Sequence, residues 1–280
     1  MLVEIAIGDA YGAGFEYVKP RIVAERNTLA AYVQHPRHAI APGRYTDDTQ
    51  MSIAVAEALV SGAPFSRELL ADRFVQAFKR DPREGYAAGF FAFLSQVSDG
   101  ADFLATIKPD SYKSGAAMRA APLGIIADVP ELIEKTKLQA RITHDTPDGV
   151  NAAVAAALAT HFCLYELGGL EELGPFVSAH VAGQWEVPWV GEVGPKGWMS
   201  TRAAITALSR ATRMSELLKE CVAFTGDVDT VAAIAMGAGS CCAAIEQDLP
   251  AQLIEGLENG PWGRRFLEDL DRQFMAMIGR

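Results

Sequence analysis

The sequence predicts an all-α protein, a single orthogonal helical bundle forming one domain over residues 1–280. No segment alternates apolar and polar residues for the length of a strand. The apolar runs are rich in alanine rather than valine or isoleucine, which favours helices over sheet. No segment repeats at a fixed interval, so a solenoid is not expected. With 50% hydrophobic and 21% charged residues, the chain has the composition of a globular protein with a large core.

Charge and cysteine content restrict the partners and the setting. The net charge is −10, and no basic stripe offsets it, so neither nucleic acid nor an anionic membrane is expected as the main partner. The four cysteines stand in apolar helical contexts without CxxC spacing, which disfavours zinc or a disulfide framework and indicates a reducing cytoplasm. The N-terminal residues lack the features of a signal peptide or membrane anchor.

The first segment combines small residues with two acids. Gly8, Gly12 and Gly14 surround Asp9 and precede Glu16. Such glycines more often mean tight helix packing, but they also let backbone approach a ligand closely and bring Glu16 to it. Residues 20–44 are interrupted by prolines and are predicted to form an irregular connector with at most a short helix. His35 and His38 are therefore expected to be solvated loop residues.

Three helices are predicted next. Thr46 or Asp47 is a plausible N-cap for a helix that continues through Leu59. The spacing of apolar residues from 65 to 78 predicts an amphipathic helix with Ser66 as its N-cap. Residues 83–94 are expected to form a further helix, whose aromatic side is interpreted as core.

The middle of the chain contains two candidate ligand positions. Residues 108–124 are predicted to form a polar loop that leads into a short helix near Ser114. The free N–H groups at the start of that helix can hold a phosphate or ribose oxygen, and Tyr112 can stack on a base. An ordinary N-cap and a surface tyrosine explain the pattern equally well. Residues 131–164 predict two helices with His144 between them, either a hydrogen-bonded structural residue or a ligand contact.

The most informative stretch lies near the end. After a tryptophan-rich loop at 185–198, helical periodicity resumes at 201–208 and 214–224. Asp227, Asp229 and Thr230 then stand directly before the uncharged run 231–245, which predicts a helix surrounded by protein. Residues 253–257 and 264–278 are expected to be surface helices.

Carboxylates at the start of a buried helix need a compensating partner. Asp47 and Asp48 begin one apolar helix, and Asp227 and Asp229 begin another. Together with the nearby threonines they form an all-oxygen set, which suits Mg²⁺, Mn²⁺ or Ca²⁺ better than zinc.

The ordered motifs resemble the ADP-ribosylglycohydrolase family. The resemblance covers residues 8 to about 245 and is carried by these segments in order: Gly8-Asp9-Ala10 with Glu16; Thr46-Asp47-Asp48-Thr49; Ser111-Tyr112 with Gly115-Ala-Ala-Met118-Arg119; His144; and Gly226-Asp227-Val228-Asp229-Thr230. Two departures stand out. Lys113-Ser114-Gly115 replaces a common Gly-Asn-Gly, and Thr225 replaces a common glycine before Gly226. Neither removes a metal ligand, and both bear on the choice of acceptor.

The resemblance implies a compact helical fold with a central dinuclear cleft. It implies two divalent cations, Mg²⁺ or else Mn²⁺, held by Thr46, Asp47, Asp48, Asp227, Asp229 and Thr230. It also implies that Glu16 acts near the scissile bond with Asp47, Asp48 and Asp229, and that Ser111, Tyr112, Ser114, Gly115 and His144 surround ADP-ribose.

The implied function is hydrolysis of the bond between ADP-ribose and an acceptor: an arginine or serine side chain, or a small molecule. A monomer acting on ADP-ribosylated protein or a small ADP-ribosylated molecule is expected. Two alternatives are an ADP-ribose-binding module without turnover and a metal-dependent hydrolase of another phosphorylated nucleotide.

Overall fold

The computed structural model describes residues 1–279, and in that range the chain is helical, with isolated bridges and no strands. The all-α prediction is confirmed. Arg280, the last residue of the predicted domain, lies outside the described residues. The α-helices are α1 Leu2–Ala13, α2 Pro20–Arg26, α3 Asp47–Val60, α4 Arg67–Arg80, α5 Ala88–Gln96, α6 Gly100–Thr106, α7 Val129–Arg141, α8 Pro147–Leu164, α9 Leu173–His180, α10 Gly197–Leu208, α11 Met214–Ala223, α12 Val228–Gly239, α13 Ala251–Gly256 and α14 Arg264–Ala276.

The helix α12 forms the centre of the molecule, because all of its residues are buried. Helix α1 packs along it at short range. A Cβ on Gly8 would lie 2.7 Å from the carbonyl oxygen of Ala232, and a Cβ on Gly12 would lie 2.5 Å from Cα of Asp229. The glycines of α1 therefore serve helix packing, and that packing carries the end of α1 to the start of α12.

Several predicted boundaries are confirmed. Ser66 caps α4 by accepting a hydrogen bond from the Leu69 N–H at 3.2 Å. Thr46 caps α3. The two helices predicted between residues 131 and 164 are α7 and α8, and those expected at 201–208 and 214–224 are α10 and α11.

Two boundaries differ from the prediction. The helix expected at 83–94 begins at Ala88, because Gly85 has a left-handed φ of +116° and the Arg83 side chain pairs with Asp81 and Glu258. The uncharged run 231–245 is not one helix, since α12 ends at Gly239. Cys242 and Ile245 are buried in the turns that follow, so the missing charge reflects a buried turn.

Among the described residues, no helix has both the length and the apolar character needed to cross a membrane.

Candidate active site

A cleft of about 1020 Å³ opens where the first turns of α3 and α12 meet the end of α1. Predicted site residues from all parts of the chain line this one cavity: Glu16, Asp47, Asp48, Ser111, Ser114, Gly115, His144, Asp227, Asp229 and Thr230. Thr46 lies just behind them and is buried. Tyr112 is 49% exposed and does not contribute to the lining; the Lys196 ammonium nitrogen lies 5.6 Å from the centroid of its ring.

The start of α3 is fixed by a fully buried carboxylate on α1. Asp9 accepts hydrogen bonds from the N–H and hydroxyl of Thr46, at 2.9 and 2.8 Å, and from those of Thr49, at 3.0 and 2.6 Å. Burial raises the pKa of Asp9, and these four donors oppose the rise. Asp9 thereby orients Asp47 and Asp48. Sequence reasoning gave Asp9 no role, although an acid inside an otherwise apolar helix requires hydrogen-bond donors.

The start of α12 is fixed by a sharp turn. Gly226 has a φ of +90°, and a Cβ there would overlap the carbonyl oxygen of Val193. The Gly226 carbonyl accepts a hydrogen bond from the Tyr17 N–H at 2.9 Å, which ties the chain beyond α1 to this turn. Glu16 is thus brought beside Asp227 and Asp229, and one oxygen of each of the three carboxylates lies within 4.8 Å of the others.

The four aspartates of the cleft repel one another when they are ionised. Burial, reinforced by neighbouring carboxylates, raises the pKa of Asp47, Asp48 and Asp229 well above the usual value. Burial raises the pKa of Asp227 to about 6, although the hydroxyl of Ser200 on α10 donates to it at 2.9 Å. Sequence reasoning missed Ser200, whose position on a buried helix gives no local signal.

The donor set fits a divalent cation. Asp48 is 4% exposed, and its Oδ1 atom has no hydrogen-bond partner among the described residues. A buried carboxylate oxygen without a donor needs a cation or a proton. All the surrounding ligand atoms are oxygens, which is the set that Mg²⁺ and Mn²⁺ prefer.

Glu16 is held by the connector between α2 and α3. His35 Nε2 lies 2.9 Å from Glu16 Oε2, and Arg37 Nη2 lies 2.9 Å from Oε1. Burial raises the pKa of Glu16, but hydrogen bonding from His35 and the charge of Arg37 outweigh it and keep the pKa below its usual value. The prediction that His35 is solvated is wrong, since it is 5% exposed, whereas the side chain of His38 is 42% exposed as expected.

The opposite wall presents His144 with a defined tautomer. Arg119 Nη2 donates to the hydroxyl of Thr143 at 2.8 Å, and that hydroxyl lies 2.7 Å from His144 Nδ1. Arginine can only donate, so the Thr143 oxygen accepts from it; among the described residues Nδ1 is the acceptor within reach of the buried hydroxyl proton, so we infer that the hydroxyl donates to Nδ1. The proton of neutral His144 then lies on Nε2. This nitrogen is close to Gly115, because a Cβ added at Gly115 would lie 3.2 Å from it.

This tautomer can be measured. Burial, and then the charge of Arg119, lower the pKa of His144 to about 3. Between about pH 5 and pH 8 we therefore expect ¹⁵N NMR to show a neutral ring with Nε2 protonated and no titration. Thr143→Val should allow the proton to redistribute to Nδ1, whereas Thr143→Ser should preserve the spectrum. A protonated Nδ1 in the unmodified protein would contradict the hydrogen-bond directions.

The third wall is aromatic. Phe90, Phe91 and Phe93 of α5 line the cleft, while Leu94 of the same helix is buried in the core. The interpretation of this aromatic side as core is wrong for Phe91, which is 36% exposed, whereas Phe90 and Phe93 are half-buried and pack against the core while also lining the cleft. An aromatic helix face packs equally well against a core or beside a cavity, and the sequence does not distinguish the two.

Comparison with known proteins shows which sequences and folds this chain resembles. The model of the ADP-ribosylglycohydrolase family matches residues 1–279. Human ADP-ribosylhydrolase ARH3 is 29% identical over 203 residues, covering 64% of this chain and 55% of the relative. Xenopus tropicalis ARH3 is 30% identical over 129 residues, covering 43% and 37%. ADP-ribosylarginine hydrolase Tri1 of Pseudomonas putida is 23% identical, covering 84% of this chain and 67% of that protein.

A solved structure, described as an ADP-ribosylglycohydrolase-related protein complex, superposes with a TM-score of 0.70 over 99% of this chain and 94% of the other, at 22% identity. At that identity the likeness is one of fold. The matched regions span about a third to a half of the ARH3 relatives' own length, 37% for Xenopus and 55% for human. Because the family model spans the described chain and the fold agrees, the chain belongs to the ADP-ribosylglycohydrolase family.

Proposed function

We propose that the chain hydrolyses the bond between C1 of the ribose in ADP-ribose and an acceptor, releasing ADP-ribose. The observation that carries the proposal is the convergence of three buried aspartates, the half-buried Asp47, Glu16 and a neutral His144 in one cleft of about 1020 Å³. The relatives named ADP-ribosylhydrolase and ADP-ribosylarginine hydrolase support the same reaction.

The aspartates would hold the cofactor. Asp47, Asp48, Asp227 and Asp229, with the hydroxyls of Thr46 and Thr230, would bind two divalent cations, Mg²⁺ or alternatively Mn²⁺. Such cations, when bound, orient ribose hydroxyls and polarise water, and they offset the negative potential that otherwise repels an anionic substrate. Asp9 accepts a hydrogen bond from the Thr46 hydroxyl at the start of α3, and the Ser200 hydroxyl donates to Asp227. Both contacts keep the proposed ligand carboxylates oriented.

Glu16 is the residue we assign to the scissile bond. Its carboxylate lies beside Asp227 and Asp229 and is held on both oxygens, so its position is fixed before substrate binds. We propose that it orients the attacking water or assists departure of the acceptor. In the overall reaction the C1–acceptor bond breaks, the water oxygen bonds to C1, and a proton goes to the acceptor.

The remaining walls would hold the ADP-ribose body. The protonated Nε2 of His144 offers a hydrogen bond to a ribose or phosphate oxygen, and Ser111, Ser114 and Gly115 lie on the same side of the cleft. The aromatic wall of Phe90, Phe91 and Phe93 gives the adenine ring an apolar surface. Tyr112, matched to the same task by sequence, would have to turn inward to take part.

The test uses two peptides of identical sequence context, one ADP-ribosylated on serine and one on arginine. With Mg²⁺ or Mn²⁺ we expect free ADP-ribose from at least one peptide, and EDTA should abolish its release. Glu16→Gln should lower turnover by about a hundredfold or more if the carboxylate acts at the scissile bond.

Other outcomes identify the alternatives. Binding of ADP-ribose by calorimetry without release from either peptide would indicate a binding module. Release of inorganic phosphate from a nucleotide substrate, with no ADP-ribose formed, would indicate a different metal-dependent hydrolase.

A further inference from the structure

The connector that holds Glu16 is a built structure rather than a loose loop. The side-chain amide of Gln34 donates to the carbonyls of Ile40, at 2.7 Å, and His38, at 3.3 Å. The backbone N–H groups of Arg37 and His38 both donate to His35 Nδ1, at 3.0 and 3.1 Å. Since Nδ1 accepts, the His35 proton lies on Nε2 and is donated to Glu16.

This arrangement places the guanidinium of Arg37 at the rim of the cleft beside Glu16. Its Nη2 atom is 2.9 Å from Glu16 Oε1, and its Cζ atom is 5.0 Å from the centroid of the Tyr17 ring. The side chain is 52% exposed and lines the cleft, on the side from which an acceptor would reach Glu16. Pairing with a carboxylate on one side and an aromatic ring on the other is a favourable setting for an arginine.

Two acids near this rim, Glu16 and Glu84, already have partners. Both oxygens of Glu16 are engaged, one by His35 and one by Arg37. Glu84 accepts from the Ala39 N–H at 3.0 Å and lies 3.4 Å from His38 Nδ1. Asp227 and Asp229 belong to the proposed cation site. A second guanidinium arriving at Glu16 would therefore meet Arg37 at a carboxylate whose two oxygens are already paired.

We propose that Arg37 sets the acceptor preference by disfavouring substrates in which ADP-ribose is joined to a guanidinium, so that the site acts on hydroxyl-linked ADP-ribose. This inference rests on the hydrolase function proposed above and on the position of Glu16 at the scissile bond. Juxtaposed like charges suppress a wrong partner, whereas an uncharged ether oxygen escapes that repulsion and accepts a hydrogen bond from Arg37. Arg37 is a specificity-determining residue in this account.

The experiment compares kcat/KM for the serine-linked and arginine-linked peptides in the unmodified protein, Arg37→Gln and Arg37→Lys. The serine-linked peptide should be preferred by at least about tenfold in the unmodified protein. Arg37→Gln should reduce that ratio at least about tenfold, mainly by accelerating the arginine-linked reaction, and Arg37→Lys should retain it because the charge remains. Arg21→Gln, which removes an exposed arginine paired with Glu25 on α2, serves as the control.

Three results would overturn the inference: preference for the arginine-linked peptide in the unmodified protein, an unchanged ratio in Arg37→Gln, or a parallel fall with both peptides. The last would mean that Arg37 binds the shared ADP-ribose. If neither peptide is cleaved, the proposed hydrolase function fails separately. The two intact peptides can then be used to measure binding. The inference requires that Arg37→Gln reduce the preference for the serine-linked peptide, measured as the ratio of the two Kd values, by the same factor.

Discussion

Replacing Asp9 by alanine is expected to lower the free energy of unfolding by about 3–5 kcal/mol, because it leaves several buried donors without an acceptor. Asp9 is fully buried and receives two N–H and two O–H groups from Thr46 and Thr49. Urea denaturation followed by circular dichroism would measure the loss. The effect should exceed that of removing an ordinary buried side chain of similar size, since the start of α3 loses its anchor.

A double-mutant cycle separates the hydrogen bonds from the packing. Thr49→Val removes one hydroxyl donor and keeps the shape of its side chain. Combined with Asp9→Ala, it should cost less than the sum of the two single changes, because the hydroxyl has already lost its acceptor. A loss within about 0.5 kcal/mol for Asp9→Ala alone would show that these donors find other partners.

Replacing Asp229 by alanine is expected to weaken Mg²⁺ binding by at least about tenfold. Loss of a residue that merely orients a metal ligand already lowers affinity by about that factor, and Asp229 is itself a proposed ligand. Asp229 is 7% exposed and shares its site with Asp227 and Glu16. Titration calorimetry with Mg²⁺ measures the change. Turnover of the cleaved peptide should fall with it at any cation concentration that no longer saturates the variant.

Two further variants test whether charge or structure is responsible. Asp229 also accepts a hydrogen bond from the Thr230 N–H at 3.0 Å, and Asp229→Asn keeps an acceptor there while removing the charge. Asp229→Asn should lower the affinity for Mg²⁺ and leave the free energy of unfolding nearly unchanged. Asp148→Ala removes an exposed acid from the first turn of α8 and should change neither property. Unaltered affinity in Asp229→Asn would remove this residue from the proposed ligands.

The sequence predicted the elements whose causes are local. Ser66 and Thr46 precede their helices as caps, and an acid followed by an uncharged run predicted α12. The acids of the cleft were found for the same reason, since each pair stands at a helix start. Their shared ligand chemistry suggested one site, and the resemblance supported it, but the spacing of 179 positions between Asp48 and Asp227 (227 − 48 = 179) carries no distance.

Contacts made by irregular segments were not predictable in the same way. His35 lies in a proline-interrupted connector, and nothing in its neighbours indicates that it is buried against Glu16. Ser200 sits in an apolar helix where a hydroxyl can bond its own backbone instead of Asp227. Asp9 was visible as an acid among apolar residues, but its four donors come from a helix more than thirty residues away.

The packing of α1 would couple cation binding at the proposed site to thermal stability. One turn of this helix anchors the start of α3 through Asp9, and the next packs at Gly12 against the backbone of Asp229. A cation shared by α3 and α12 would therefore brace three helices at once. By mass action, a ligand that binds the folded state alone adds about 2.7 kcal/mol when its free concentration is about a hundred times Kd. The melting temperature should rise with added Mg²⁺ and fall with chelator, which reports occupancy without any substrate.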